Sequence, residues 1–311
     1  MRSNRPSFTS KAVASVRAFY AEIPEPLGLG PDPLAQHLLP PVYLLPARAA
    51  ERLGAIPQAS AALHRAYGAI SAGLTFHVAL RTHAIDEALG QSVAAGVKQI
   101  VLLGAGFDGR AYRLPELAGT RVFEVDHPNT QRDKQERLAQ ANLQSYADIS
   151  FVAVDFEKDS LEQSLRAAGF SSREKSFWIW EGVTAYLTHE AIRGTLEAIT
   201  RSSAPGSRLA MTYVRPPSQG ADPSHPIVYR GMRTLVHTGM AVLSVVGEPV
   251  RGFLDMEKLE RLAREAGFRI ESDENARDWA QKYWPGQSHG PFEWERIAVL
   301  VLPDDRASIP K

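Results

Sequence analysis

The chain has 311 residues, enough for one large α/β domain with an N-terminal extension. Lys plus Arg and Asp plus Glu are both 35, so the summed charge draws neither nucleic acid nor an anionic membrane, and a small-molecule partner fits better. A composition of 44% apolar and 23% charged residues excludes the disordered and fibrous classes, and the lack of cysteine excludes disulfides, thiolate metal sites and a cysteine nucleophile.

The opening MRSNRPSFTSKAVASVRAFYAEIP has no apolar signal core, and no stretch reaches the roughly 18 apolar residues of a membrane span, so a cytoplasmic location is expected. Over residues 1–50 the prolines at 24, 26, 31, 33, 40, 41 and 46 leave room only for short helical pieces, a cap laid over another surface. Residues 60–95 are Ala-rich with recurring apolar positions and predict two helices broken near Gly73. From 99 onward short apolar runs alternate with amphipathic stretches, the pattern of a mostly parallel sheet covered on both faces. The expected strands are QIVLLG (99–104), RVFEVD (121–126), ISFVAVD (149–155), SFWIWE (176–181), RLAMTYV (208–214), FRIESD (268–273) and RIAVLVL (296–302). Helices are expected over 128–142, 158–168, 188–202 and 255–267, with Asp255 capping the last. The Pro-, Gly- and His-containing stretch 215–253 interrupts the alternation and reads as a substrate lid. The division that results is a helical cap over 1–95 and a Rossmann-like domain of about seven strands over 96–311.

GAGFDG at 104–109 follows the first strand, where small residues let the backbone approach a nucleotide-type ligand. About 20 residues on, the second strand ends in Glu124-Val125-Asp126, placing a carboxylate where ribose hydroxyls would donate to it. A dinucleotide dehydrogenase would show both features. The third strand, however, ends in Asp155-Phe156, an acid and an aromatic suited to an adenine amino group and ring, although Asp155 also fits a helix N-cap. Pro115 disfavours the long helix on which a pyrophosphate would sit, whereas S-adenosylmethionine (SAM) has no phosphate to hold.

Four segments together resemble the leucine carboxyl methyltransferase-like family of class I SAM methyltransferases, which includes bacterial and polyketide-tailoring O-methyltransferases. They are RTHAIDEAL (81–89), VLLGAGFDGRAYRL (101–114), FEVDHPNTQRDKQERL (123–138) and FWIWEGVTAYL (177–187). The resemblance implies that Arg81 clamps the methionine carboxylate of SAM, that Gly104 lies under its methionine part with Ala105 and Gly106 also in the cofactor site, that Asp126 takes the ribose, Asp155 and Phe156 the adenine, and Glu181 the ammonium. Arg81 has a bland alternative, pairing with Asp86 or Glu87 of its own helix. Gly109 departs from the Thr or Ala common among relatives and either loosens the loop or admits a bulkier neighbour. Arg110 and Arg113 are divided between cofactor contact and an ion pair with Glu124 or Glu116.

The expected activity is O-methylation of a small acceptor, a carboxylate or a natural-product hydroxyl, with SAM as donor and S-adenosylhomocysteine as product. Alternatives are a protein C-terminal carboxyl methyltransferase, an NAD-dependent oxidoreductase and a non-catalytic SAM-binding protein. In-line displacement needs alignment more than a base, so no catalytic base is assigned, and His127, His225 and His237 are read as local loop histidines. Tyr186, Tyr213, Arg215 and Tyr229 are the candidate acceptor-binding residues. His77 and His83 lie six apart, the wrong spacing for a shared metal on a helix, and no metal is expected. The partners expected are a small-molecule acceptor, no nucleic acid and no membrane, for a monomer or homodimer.

Overall fold

A computed structural model describes residues 8–216, 250–287 and 293–304, apart from residues 26, 31, 54, 55, 72 and 157. Its centre is a seven-stranded sheet of order β3-β2-β1-β4-β5-β7-β6, comprising β1 (Gln99–Leu103), β2 (Arg121–Asp126), β3 (Asp148–Ala153), β4 (Ser176–Trp180), β5 (Arg208–Val214), β6 (Arg269–Asn275) and β7 (Glu295–Val301). The first five run parallel, and β7 is antiparallel to both β5 and β6. Strands β1 and β4, QIVLL and SFWIW, are buried at every position, as expected of central strands covered on two faces.

Alternation along each strand divides the core in two. Ile100, Leu102, Val122, Phe177, Ile179, Ala210 and Ile297 face one way, onto the N-terminal helices, and Val101, Leu103, Phe123, Trp178, Trp180 and Met211 face the other. The first face is covered by α1 (Phe8–Ala21), α2 (Ala35–Leu38), α3 (Leu45–Leu53), α4 (Pro57–Ile70) and α5 (Leu74–Ala94). The helices of 8–94 therefore share a core with the sheet. The second face is covered by α8 (Leu161–Ala167), α9 (His189–Ser202) and α10 (Met256–Glu265).

Helix α1 corrects the expectation of short pieces only: its 14 residues lie before Pro24, so averaging over 1–50 hid a stretch free of proline. The break between α4 and α5 falls at Gly73, whose φ of +83° suits glycine. Asp255 caps α10 by accepting from the Lys258 backbone N–H at 2.8 Å. One helix, α11 (Ala276–Tyr283), was not expected. Its signal is a capping box in which Asn275 accepts from the Asp278 N–H and Asp278 accepts from the Asn275 N–H. Among the described residues no helix is long and apolar enough to cross a membrane.

Candidate functional site

Because β1 to β5 are parallel, their C-terminal ends share one edge of the sheet, the edge at which such sheets bind ligands. Gly104, Asp126, Asp155, Glu181 and Arg215 all lie at or just beyond those ends. The antiparallel β7 brings Glu295, its first residue, to the same edge, paired in register with Val214.

The glycine loop turns on two left-handed residues, Gly104 at φ +69° and Gly106 at φ +50°. A Cβ on Gly104 would meet Val183 at 2.6 Å, so the close approach of the loop after β4 also requires glycine. The backbone N–H groups of Gly104 and Ala105 both donate to Val125 O, holding the loop against the end of β2. Asp126 Oδ2 accepts from the Gly106 N–H at 2.5 Å and Oδ1 from the His127 N–H at 2.6 Å. Burial raises the Asp126 carboxyl, and the two N–H bonds oppose that rise. After the loop, α6 (Arg110–Arg113) lasts four residues and gives way to a 3₁₀ turn at Pro115, as that proline demands.

Glu181, one residue past β4, is the hub of the site. Its Oε1 accepts from Arg17 Nη2 at 2.6 Å and Arg81 Nε at 3.0 Å, with Arg81 Nη2 in ion-pair contact at 2.9 Å, and its Oε2 accepts from Arg110 Nη1 at 2.9 Å. Burial alone would raise this carboxyl, but the charges of Arg17, Arg110 and Arg81 hold it well below its ordinary range. Arg81, only 3% exposed, reaches Glu295 Oε2 with Nη1 at 2.7 Å, and neither Asp86 nor Glu87 is its partner. Arg110 and Arg113 take Asp86 instead, at 2.6 and 2.7 Å, and Arg110 also bonds Asp108. Of the two alternatives, ion pairing is what the structure shows, but with these acids and not with Glu124 or Glu116: Glu124 is buried against Lys134 Nζ at 2.5 Å. Gly109 admits the bulkier neighbour, for the Asp32 carboxylate sits where a Cβ would be.

At the third strand end, Asp155 Oδ2 accepts from Lys158 Nζ at 2.5 Å, and Ser160, not Asp155, caps α8 by accepting from the Gln163 N–H. Phe156 leaves 53% of its surface exposed, an apolar ring open at the edge of the sheet. Among the acceptor candidates, Tyr186 lies in the 3₁₀ turn Thr184–Tyr186 and donates to Thr9 Oγ1 of α1 at 3.4 Å. Arg215 is partly buried, its N–H donates to Trp294 O at 2.8 Å, and its Nε is buried with no hydrogen-bond partner among the described residues. Tyr213 is not brought to the crevice: alternation along β5 turns it into the opposite core, fully buried, with its hydroxyl donating to Asp273 Oδ1 at 2.9 Å. Tyr229, His225, His237 and most of the expected lid lie outside the described residues. His127 caps α7 (Pro128–Ala141), its Nδ1 accepting from the Asn129 N–H.

Two residues of this ion-pair cluster were not singled out from sequence. Arg17 is the lone charge in the apolar stretch AVASVRAFY, and Glu295 opens the apolar run of β7 as Glu181 closes that of β4. Helix α1 lies across the site, with Lys11 paired to Asp133 at 3.0 Å and Ser10 packed over Gly106. No group of His, Asp and Glu suited to a metal occurs among the described residues.

The leucine carboxyl methyltransferase family matches residues 10–200. A Parafrankia sp. (strain EAN1pec) protein, provisionally named an S-adenosyl-L-methionine-dependent methyltransferase, is 37% identical over 203 residues, covering 65% of this chain and 61% of its own. A Mycobacterium sp. (strain JLS) protein of the same provisional name is 45% identical over 137 residues, 44% of either chain. The chain thus spans about half the length of the curated relatives it matches. In fold it is similar to a DUF574 family protein from Streptomyces avermitilis MA-4680, with a TM-score of 0.54 at 16% identity over 79% of this chain and 91% of that one. The match over residues 10–200 runs from within α1 into α9, and the chain belongs to the leucine carboxyl methyltransferase family.

Proposed function

We propose that this chain is a SAM-dependent O-methyltransferase acting on a small acceptor, a carboxylate or a natural-product hydroxyl. The observation that carries the reading is the Arg81–Glu181 ion pair beside the glycine loop. A zwitterionic amino-acid tail can insert into such a pair, its carboxylate on the guanidinium and its ammonium on the acid, with no net change in buried charge. Arg17 and Arg110 keep Glu181 ionised for that exchange. Asp126 would take the ribose hydroxyls with oxygens that now hold the Gly106 and His127 N–H groups, and the open ring of Phe156, next to Asp155, suits the adenine.

When bound, SAM supplies an electrophilic methyl group on a sulfonium. The chain's part is then to align an acceptor oxygen with it and to keep water out, without need of a general base for an ionised carboxylate. Arg215, whose Nε has no hydrogen-bond partner among the described residues, is the residue proposed to hold such a carboxylate, and Tyr186 and Tyr229 complete the proposed acceptor set. The four-residue α6 offers no long helix terminus for a pyrophosphate, which disfavours the NAD reading. Turnover of labelled SAM with a panel of carboxylic and phenolic acceptors tests the proposal. Methyl esters or ethers are the expected products, and SAM binding without transfer to any member of the panel would count for a binding protein.

A further inference from the structure

Glu295 has no part in the cofactor reading, yet it is buried at the crevice edge. Its Oε2 receives two donors from one face of α5, Arg81 Nη1 at 2.7 Å and His77 Nε2 at 2.7 Å, residues four apart and so one helical turn from each other. His77 is fully buried, burial lowers its tendency to take a second proton, and against the carboxylate of Glu295 its Nε2 is the donor. Burial would raise Glu295, but Arg81 and the His77 hydrogen bond pull it down to about 2, which leaves a fixed negative charge. The guanidinium of Arg81 is thereby divided: Nη1 is tied to β7, while the Nε–Nη2 edge, the one able to grip a carboxylate with two parallel bonds, is turned toward Glu181.

We propose that Glu295, braced by His77, is a positioning residue that anchors Arg81 by Nη1 so that its Nε–Nη2 edge stays aimed at the amino-acid tail of the cofactor. This rests on the reading of Arg81 as the holder of the methionine carboxylate. Without the anchor the guanidinium is held by Glu181, and that hold is given up when the tail inserts between them, so part of the fork geometry is lost as the ligand binds. Glutamine at 295 keeps an acceptor oxygen without the charge. Alanine removes both.

The test compares two ligands by calorimetry on the full chain: S-adenosylhomocysteine, which carries the tail, and 5′-methylthioadenosine, which keeps adenine, ribose and sulfur but lacks it. Glu295→Ala is expected to weaken S-adenosylhomocysteine by about tenfold or more, the scale of a lost charged hydrogen bond, and to leave methylthioadenosine unchanged. Glu295→Gln and His77→Phe should show smaller losses with the same tail dependence, and unchanged methylthioadenosine binding reports an intact nucleoside half in each. Equal weakening of both ligands would overturn the proposal in favour of a general structural role. So would unchanged S-adenosylhomocysteine binding in Glu295→Ala alongside a tail-dependent loss in Arg81→Lys, which would leave the Arg81 reading standing. If Arg81→Lys itself shows no tail dependence, the reading of Arg81 fails and the positioning role falls with it.

Discussion

The Glu181 carboxylate sits among three guanidinium groups, and at this scale charge decides the chemistry. An acid at the end of an apolar strand was legible because strand ends are where a parallel sheet binds. Which cations it meets was not, since Arg17 and Arg81 lie 164 and 100 residues away in the chain. Asp126→Ala should weaken S-adenosylhomocysteine binding by about 1–3 kcal/mol through loss of charged acceptors for the ribose, and unaltered affinity in calorimetry would remove that assignment. Glu295 gives a pH signature. Its folded-state pKa, about 2, lies below the ordinary 4.5, so its stabilisation is full above pH 4.5 and is lost as pH falls toward 2. Thermal melts at pH 6 and pH 3 should therefore show a smaller acid-induced drop in Glu295→Gln than in the parent chain, and identical drops would mean the carboxylate is not held low. Arg215→Ala should raise the acceptor KM or lower kcat while S-adenosylhomocysteine affinity stays nearly intact. The reverse pattern would take Arg215 out of the acceptor site.

Among the elements, those set by hydrophobic period were readable from sequence almost to the residue, because central strands such as β1 and β4 bury every side chain and leave no second pattern to confuse. Helices α1 and α11 were missed for opposite reasons. The first was averaged into a proline-rich segment, and the second is short and announced only by its Asn275–Asp278 capping box. Tyr213 shows a further limit, since a strand end locates a residue but the face it points to depends on register. Gly109 is a test of packing between elements. Gly109→Ala drives a methyl group into the buried Asp32 carboxylate and should cost about 1–3 kcal/mol in urea unfolding. No loss of stability would show that Asp32 does not pack there.

Across the whole molecule, one sheet edge joins Arg17 of α1, Arg81 of α5, Arg110 of α6, Glu181 after β4 and Glu295 of β7 in a charged seam, and the N-terminal helices share the core that supports it. The sheet was legible because each parallel strand repeats the same local pattern, whereas the seam depends on contacts between α1, α5 and β7 that no local pattern encodes. The acceptor surface is less legible still, since Tyr229 and the expected lid rest on composition alone. This seam is expected to bind an adenosyl amino acid and not a dinucleotide. Titration calorimetry of the full chain with SAM, S-adenosylhomocysteine and NAD tests it most directly: saturable 1:1 binding of the first two with no heat from NAD is the expected result, and saturable NAD binding with none for SAM or S-adenosylhomocysteine would contradict it.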